Sequence, residues 1–361
     1  MKKLLLVLFT LAVTFVLVSC GTKETIEMAL ITDTGKIDDH SFNEGSYNGL
    51  KKYAEENDIS YTYYKPQGDS NADREAMMEQ AIDKGAKVIV LPGFLFEVPV
   101  ANQAAIHTDV MYLLIDGSPH DLDGNSVDLK NVVSLSYEEA QSGYLAGYVA
   151  VKNGWTKLGF VGGIAVPAVV RFGYGYIQGA EAAAEDMDLA AGTVTMNYWY
   201  SGTFTPDPAI ASKANTWNAN GMDVVFSCGG GIWSSVATSG VENLIGVDTD
   251  QAALNDKFVT SAMKELASSV YDKLDILYNS GSTRGTWPSD IAGKHETLGI
   301  EGDYVGLASG DSWKLTNVTE DEYQTLYAKV KAGVADGTIL IDNSSDTTVF
   351  PTTTLVTVNV E

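Results

Sequence analysis

Three acidic residues stand directly behind short apolar runs. Asp33 follows Met28 to Thr32, Asp116 follows Val110 to Ile115, and Asp248 follows Leu244 to Val247. Two further runs end in glycine, at Gly162-Gly163 and at Cys228-Gly229-Gly230-Gly231. Carboxylates in such positions accept paired hydrogen bonds from ring hydroxyls or a base N–H, and glycines let backbone amides approach a ligand closely. The chemistry this supports is capture of a polar, uncharged solute.

Aromatic and cationic residues extend the pattern. Ser41-Phe42-Asn43-Glu44 has the S-x-x-E spacing of a capping box, which predicts a helix start that leaves Phe42 at its mouth. Arg171-Phe172-Gly173 holds the equivalent place in the second half of the chain. Phe42 and Phe172 are therefore expected to face each other across a cleft, where a planar heterocycle gains roughly 1–3 kcal/mol per stacked ring. Lys264, in a Thr260 to Lys264 run read as an opening helical turn, can donate to a hydroxyl. Taken singly, each phenylalanine is as readily a core residue and the lysine a solvated charge. Cys228 reads as a buried small hydrophobe rather than a nucleophile. The four histidines, His40, His107, His120 and His295, form no catalytic pattern.

The elements that must position these residues alternate. Strand signals at Met28 to Thr32, Ile59 to Tyr64, Lys87 to Leu91 and Val110 to Ile115 are separated by helical patterns at Phe42 to Asn57, Ala72 to Lys84 and Val98 to His107. A second cycle runs from Val132 to Leu135 through strands at Leu158 to Val161, Val194 to Trp199, Asp223 to Phe226 and Leu244 to Val247. Its helices are expected at Tyr137 to Lys152, Val169 to Met187, Pro208 to Ala219 and Ile232 to Ser239. Such βα repetition predicts an α/β protein with parallel sheets covered on both faces. Residues just behind the strands then lie where open parallel sheets collect ligands. With 361 residues the chain exceeds one core, so two doubly wound lobes are expected. Lys264 to Tyr278 and Asp321 to Lys331 read as helices, and Gly281 to Gly299 is rich in turn residues. The expected division is a leader at 1–19, a tether at 20–27, a first lobe at 28–135, a second at 136–280 and a returning segment at 281–361 shared between the lobes.

The first twenty residues differ from the rest. Two lysines, a long apolar run and Leu17-Val18-Ser19-Cys20-Gly21 have the form of a signal peptide and resemble the bacterial lipobox, in which Cys20 is lipidated and tethers the chain to the membrane. Cys228 would then be the remaining thiol, which excludes an internal disulfide. No later stretch reaches the roughly 20 apolar residues needed to cross a bilayer. Acidic residues number 47 against 23 basic ones, a formal charge of −24 that repels phosphate backbones, so nucleic acid is excluded as a partner.

Together these motifs resemble the basic membrane protein family of bacterial lipoproteins, whose purine-nucleoside receptor branch serves ABC importers. The resemblance is carried by Ile31 to Glu44, Tyr137 to Gly147, Gly159 to Gly163, Ile245 to Gln251 and Thr260 to Lys264. It implies a type I periplasmic-binding-protein fold with hinge crossovers, a monomer that binds a nucleoside without cofactor or metal, and a partner permease and ATPase. By position it implies that Asp33 and Asn43 read the base edge and that Phe42 and Phe172 sandwich the base. Asp116, Asp248 and Lys264 would hold the ribose beside the backbone of Gly229 and Gly231. Tyr174, Tyr176 and Trp233 are placed to reshape the pocket away from that pattern. Trp233 and the 281–310 segment depart from the family pattern.

Two other readings fit parts of the sequence. Asp33 to Asp39 superficially resembles the calcium-holding acidic cluster of nucleoside hydrolases, but Thr32 stands where a further acid is needed, and calcium takes roughly six to eight oxygen ligands. A surface sensor for another small ligand would keep the fold and change the job.

Overall fold

The computed structural model describes residues 25–280 and 285–361; the leader and Cys20 lie outside them. The first elements are β1 (Met28–Ile31), α1 (Phe42–Glu56), β2 (Tyr61–Tyr64), α2 (Asn71–Asp83), β3 (Val88–Pro92), α3 (Glu97–Ile106), β4 (Met111–Ile115) and β5 (Val132–Tyr137). Then come α4 (Glu139–Lys152), β6 (Lys157–Gly162), α5 (Pro167–Asp186), β7 (Val194–Tyr200), α6 (Pro208–Ala219), β8 (Val224–Cys228), α7 (Trp233–Ala237), β9 (Leu244–Asp248) and β10 (Phe258–Lys264). The chain finishes with α8 (Leu266–Asn279), β11 (His295–Leu298), β12 (Val305–Leu307), α9 (Glu320–Asp336) and β13 (Val356–Val360).

Two sheets result. The first has the order β11-β5-β4-β3-β1-β2 and is parallel throughout; the second has the order β12-β10-β9-β8-β6-β7-β13, with only β12 antiparallel. The inner strands Met-Ala-Leu-Ile of β1 and Met-Tyr-Leu-Leu-Ile of β4 are buried along their whole length, as strands covered on both faces must be. Within the two sheets, β5-β4-β3-β1-β2 and β10-β9-β8-β6-β7 share one winding order, so the lobes are structural repeats.

Among the described residues the chain passes between the lobes three times: from β5 into α4, which packs on α5; from β10 into α8, which packs on α1; and from β11 into β12. The crossings are tied together, with Glu138 N donating to Leu298 O and Glu265 N to Tyr304 O, each at 2.9 Å. Helix α8 falls inside the 136–280 range expected for the second lobe but lies beside the first sheet, because its apolar face meets α1. In the 281–361 range, β11 joins the first sheet while β12 and β13 extend the second.

Thr260 to Lys264 is not a helical turn. It is the second half of β10, paired in parallel with β9 and antiparallel with β12. The helix-forming residues Ala262, Met263 and Lys264 run without a break into the true helix, which hides the boundary. Pairing on both sides overrides their propensity.

Candidate functional site

A cleft of about 810 Å³ opens between the lobes at the carboxyl ends of their strands, and Asp33, Phe42, Asn43, Asp116, Phe172, Gly229, Gly231, Trp233, Asp248 and Lys264 all line it. The repeated winding explains the convergence. Strands β4 and β9 are equivalent, and each delivers an aspartate in the left-handed region: Asp116 at φ 57° and Asp248 at φ 64°. A side chain other than glycine pays roughly 1–2 kcal/mol for that conformation. Its occurrence at both equivalent positions sets both carboxylates into the gap.

At the mouth of α1 the capping differs from the expected box. Ser41 accepts nothing from the helix; the Asp39 carboxylate does so instead, from Ser41 N at 2.9 Å, Asn43 N at 3.0 Å and Glu44 N at 3.1 Å. Glu44 reaches back to His40 N rather than to Ser41. Ser41 Oγ is thereby released to donate to Asp248 Oδ2 at 2.5 Å, which links the lobes, as do Thr249 Oγ1 and Gln251 Nε2 by donating to His40 O. Asp39 is thus spent on the helix, which removes it from any calcium cluster.

Asn43 is buried, and both its N–H donors are taken. Its amide nitrogen donates to Asp33 Oδ1 at 2.8 Å and Asp39 Oδ2 at 2.9 Å, and its oxygen accepts from Asp33 N. It orients Asp33, and with both N–H donors spent it can offer a base edge only the second lone pair of its oxygen. Asp33 Oδ1 also accepts from Gly35 N, while Oδ2 makes no hydrogen bond among the described residues and remains available. Burial pushes the Asp33 carboxyl above its ordinary range, against the hydrogen bonds from Gly35 and Asn43.

The floor is a charge cluster. Lys264 Nζ, 1% exposed, donates to Asp116 Oδ2 at 2.5 Å and to Glu139 Oε1 at 3.0 Å; Glu139 Oε2 accepts from Arg171 Nη1 at 3.1 Å. Burial alone would depress the lysine, but Asp116, Glu139 and Asp248 outweigh it and raise its pKa. Burial pushes Asp116 up to about 6, with the Lys264 ammonium opposing and Glu139 adding to the rise. Asp248 is likewise raised by burial against the pull of Lys264. Asp116 Oδ1 is buried without a hydrogen-bond partner, an acceptor that a bound hydroxyl would satisfy. Sequence reasoning missed Glu139, because a buried acid beside Glu138 carries no mark that separates it from a solvated one.

The aromatic walls also differ. Phe172 is 1% exposed, its ring edge-on to Phe226 at 6.1 Å, so it is a core residue that reaches only the floor. The ring that the second lobe presents is Phe204, half-buried in the loop behind β7. Glycines seat it: a Cβ at Gly163 would fall 2.4 Å from its ring, and one at Gly229 2.8 Å. Gly231 N is already given to Phe204 O at 2.9 Å. The glycine run therefore cradles a phenyl group, and its Gly231 amide is not free for a ligand. Trp233 lines the wall from the start of α7, and Cys228 is buried as expected.

Comparison with known proteins gives the family and the fold. The model of a family described as ABC transporter substrate-binding protein PnrA-like matches residues 26–340. Among relatives, the ABC transporter nucleoside-binding protein BmpA of Lactococcus lactis subsp. cremoris is 28% identical over 88% of this chain and 90% of its own. Basic membrane protein A1 of Borrelia garinii subsp. bavariensis is 31% identical over 74% of this chain and 78% of its own. Among solved structures, an ABC transporter solute-binding protein from Aeropyrum pernix K1 has a TM-score of 0.72 at 22% identity, covering 90% of this chain and 95% of that one. That likeness establishes the fold as the periplasmic-binding-protein type.

Proposed function

Since this chain belongs to the Bmp family of PnrA-like ABC transporter substrate-binding proteins, and so is a binding protein rather than an enzyme, we propose that its small-molecule ligand is a purine nucleoside. Members of this family work outside the cytoplasm and deliver their ligand to a membrane permease. In the finer reading the chain is a monomer, and a lipid on Cys20 holds it at the membrane beside its permease and ATPase. The name of the lactococcal relative supports a nucleoside.

The observation that carries the reading is the contrast between wall and floor. Two half-buried phenyl rings, Phe42 and Phe204, stand on opposite lobes of the same cleft, and below them lie the orphaned Asp116 Oδ1, Asp248 and the Lys264 ammonium. Planar base between rings and hydroxylated ribose on the floor is the arrangement this division of polarity favours. Asp33 Oδ2 is then the acceptor for a base N–H.

Titration calorimetry with inosine, guanosine, adenosine and cytidine, with chromatography of the recovered ligand, tests the reading. Purine nucleosides are expected to bind and to be recovered intact. Heat from none of the four would defeat the nucleoside assignment, and free base in the eluate would defeat simple binding.

A further inference from the structure

Glu139 is wholly without solvent exposure, yet its carboxyl group is shared. Its two oxygens are divided between two cations that both line the cleft, Lys264 at 3.0 Å and Arg171 at 3.1 Å. The three residues come from three elements. Glu139 opens α4 just behind the first crossing, Lys264 ends β10 just before the second, and Arg171 lies in the first turns of α5.

Their meeting is fixed by backbone contact. A Cβ at Gly143 would fall 2.1 Å from Phe172 O, and one at Gly175 2.0 Å from Ala140 O. These glycines lie one helical turn beyond Glu139 and Arg171, so the two helices touch main chain to main chain next to the ion pair.

An ammonium group has three N–H donors. Asp116 and Glu139 take two of those of Lys264, which fixes the rotation of the group and sets the direction of the remaining N–H, with the rings of Phe42, Tyr137 and Phe172 around the ammonium at 5.1, 4.9 and 5.8 Å. A buried carboxylate is costly unless it is compensated, and here two cations compensate it. We infer that Glu139 is a positioning residue for ligand binding: it locks the Lys264 ammonium so that the third N–H points at the ligand, and holds Arg171 against the cleft wall. For its binding arm this rests on the nucleoside reading above.

The test uses the full chain carrying E139Q and, separately, E139D. Asp116 is faced by Lys264 from β10, Glu139 from α4 and Asp248 from β9, so loss of the Glu139 charge removes one repulsive partner. For E139Q, inosine affinity at neutral pH is expected to fall at least tenfold, and the acid limb of the affinity profile to move to lower pH. E139D, which keeps the charge, is expected to hold the limb at its original place. Wild-type affinity with an unmoved limb in E139Q would overturn the inference, as would weaker binding accompanied only by a lower unfolding temperature. A readout without ligand separates this from the nucleoside reading. The ¹⁵Nζ ammonium resonance of Lys264, assigned by its absence in K264R, is expected to be sharp in the wild type and broadened by exchange in E139Q. If no nucleoside binds the wild type but that broadening occurs, the nucleoside reading fails and the positioning role stands. An unchanged resonance sinks the positioning role.

Discussion

Phenyl rings in and around the cleft separate by what lies against their faces. Phe42 and Phe204 line the gap with one side unpacked, whereas Phe172 is enclosed. Phe42→Ala and Phe204→Ala are each expected to weaken nucleoside binding by about 1–3 kcal/mol in calorimetry, with little loss of stability. Phe172→Ala is expected instead to destabilise the fold by about 3–5 kcal/mol in denaturant titration, because it empties a packed site. Asp116 makes a second prediction. Its carboxyl is pushed up to about 6 from an unfolded value of 3.8, so between those limits the folded chain holds a proton that the unfolded chain has lost. Stability from this group therefore falls as the pH rises from about 4 to about 6, by on the order of 2 kcal/mol. Asp116→Asn, whose amide tolerates the same left-handed backbone, is expected to flatten that slope in urea titrations. Binding runs the other way, since a ligand hydroxyl needs the ionised acceptor, and affinity is expected to drop below about pH 6. Asp33, Asp116 and Asp248 were legible because a strand end is visible in sequence. Phe204 and Glu139 were not: one sits in an irregular loop, and the other gains its meaning only from Lys264, 125 positions away.

Helices α4 and α5 show what a helical element contributes beyond its own propensity. Gly143 and Gly147 on one helix and Gly175 and Gly179 on the other allow a contact in which an added Cβ would lie about 2 Å from a carbonyl oxygen of the partner. Gly147→Ala is expected to lower stability by about 1–3 kcal/mol despite alanine's better helix propensity, through overpacking against Tyr176 O. An unchanged urea midpoint would show that the helices can separate freely. At α1, Asp39→Ala is expected to cost about 1–2 kcal/mol because it removes the real cap, while Ser41→Ala leaves the helix end intact. The S-x-x-E spacing pointed to the right helix start for the wrong bonds: Asp39, two residues upstream of Ser41, competes for the same amides and leaves Ser41 to reach the other lobe. Strand β10 was illegible for a related reason. Its last residues form helices well, and only pairing to β9 and β12, distant in sequence, determines them. The buried strands β3, β4 and β8 were plain, since a continuous apolar run bounded by glycine or an acid suits few other environments.

The whole molecule carries a formal charge of −24, and the cleft shares in it. Among the described residues, seven acids line the gap against four lysines and arginines, and Lys264 and Arg171 are already paired with Glu139 behind the wall. Low-dielectric walls focus such a field on whatever enters. A neutral nucleoside meets hydrogen-bond acceptors there, but a nucleoside 5′-monophosphate brings nearly two negative charges into a space with an excess of carboxylates. Inosine is therefore expected to bind at least tenfold more tightly than its 5′-monophosphate, a difference of about 1.4 kcal/mol or more. The origin of that gap can be read from salt. Between 0.02 and about 0.3 M ionic strength the screening length falls from roughly 20 Å to under 10 Å. Repulsion from the molecule as a whole should shrink over that range, whereas a steric clash with the phosphate should not. Competition titrations at the two ionic strengths decide between them: a gap that narrows locates selectivity in the long-range field, and a gap that stays constant locates it in the shape of the cleft.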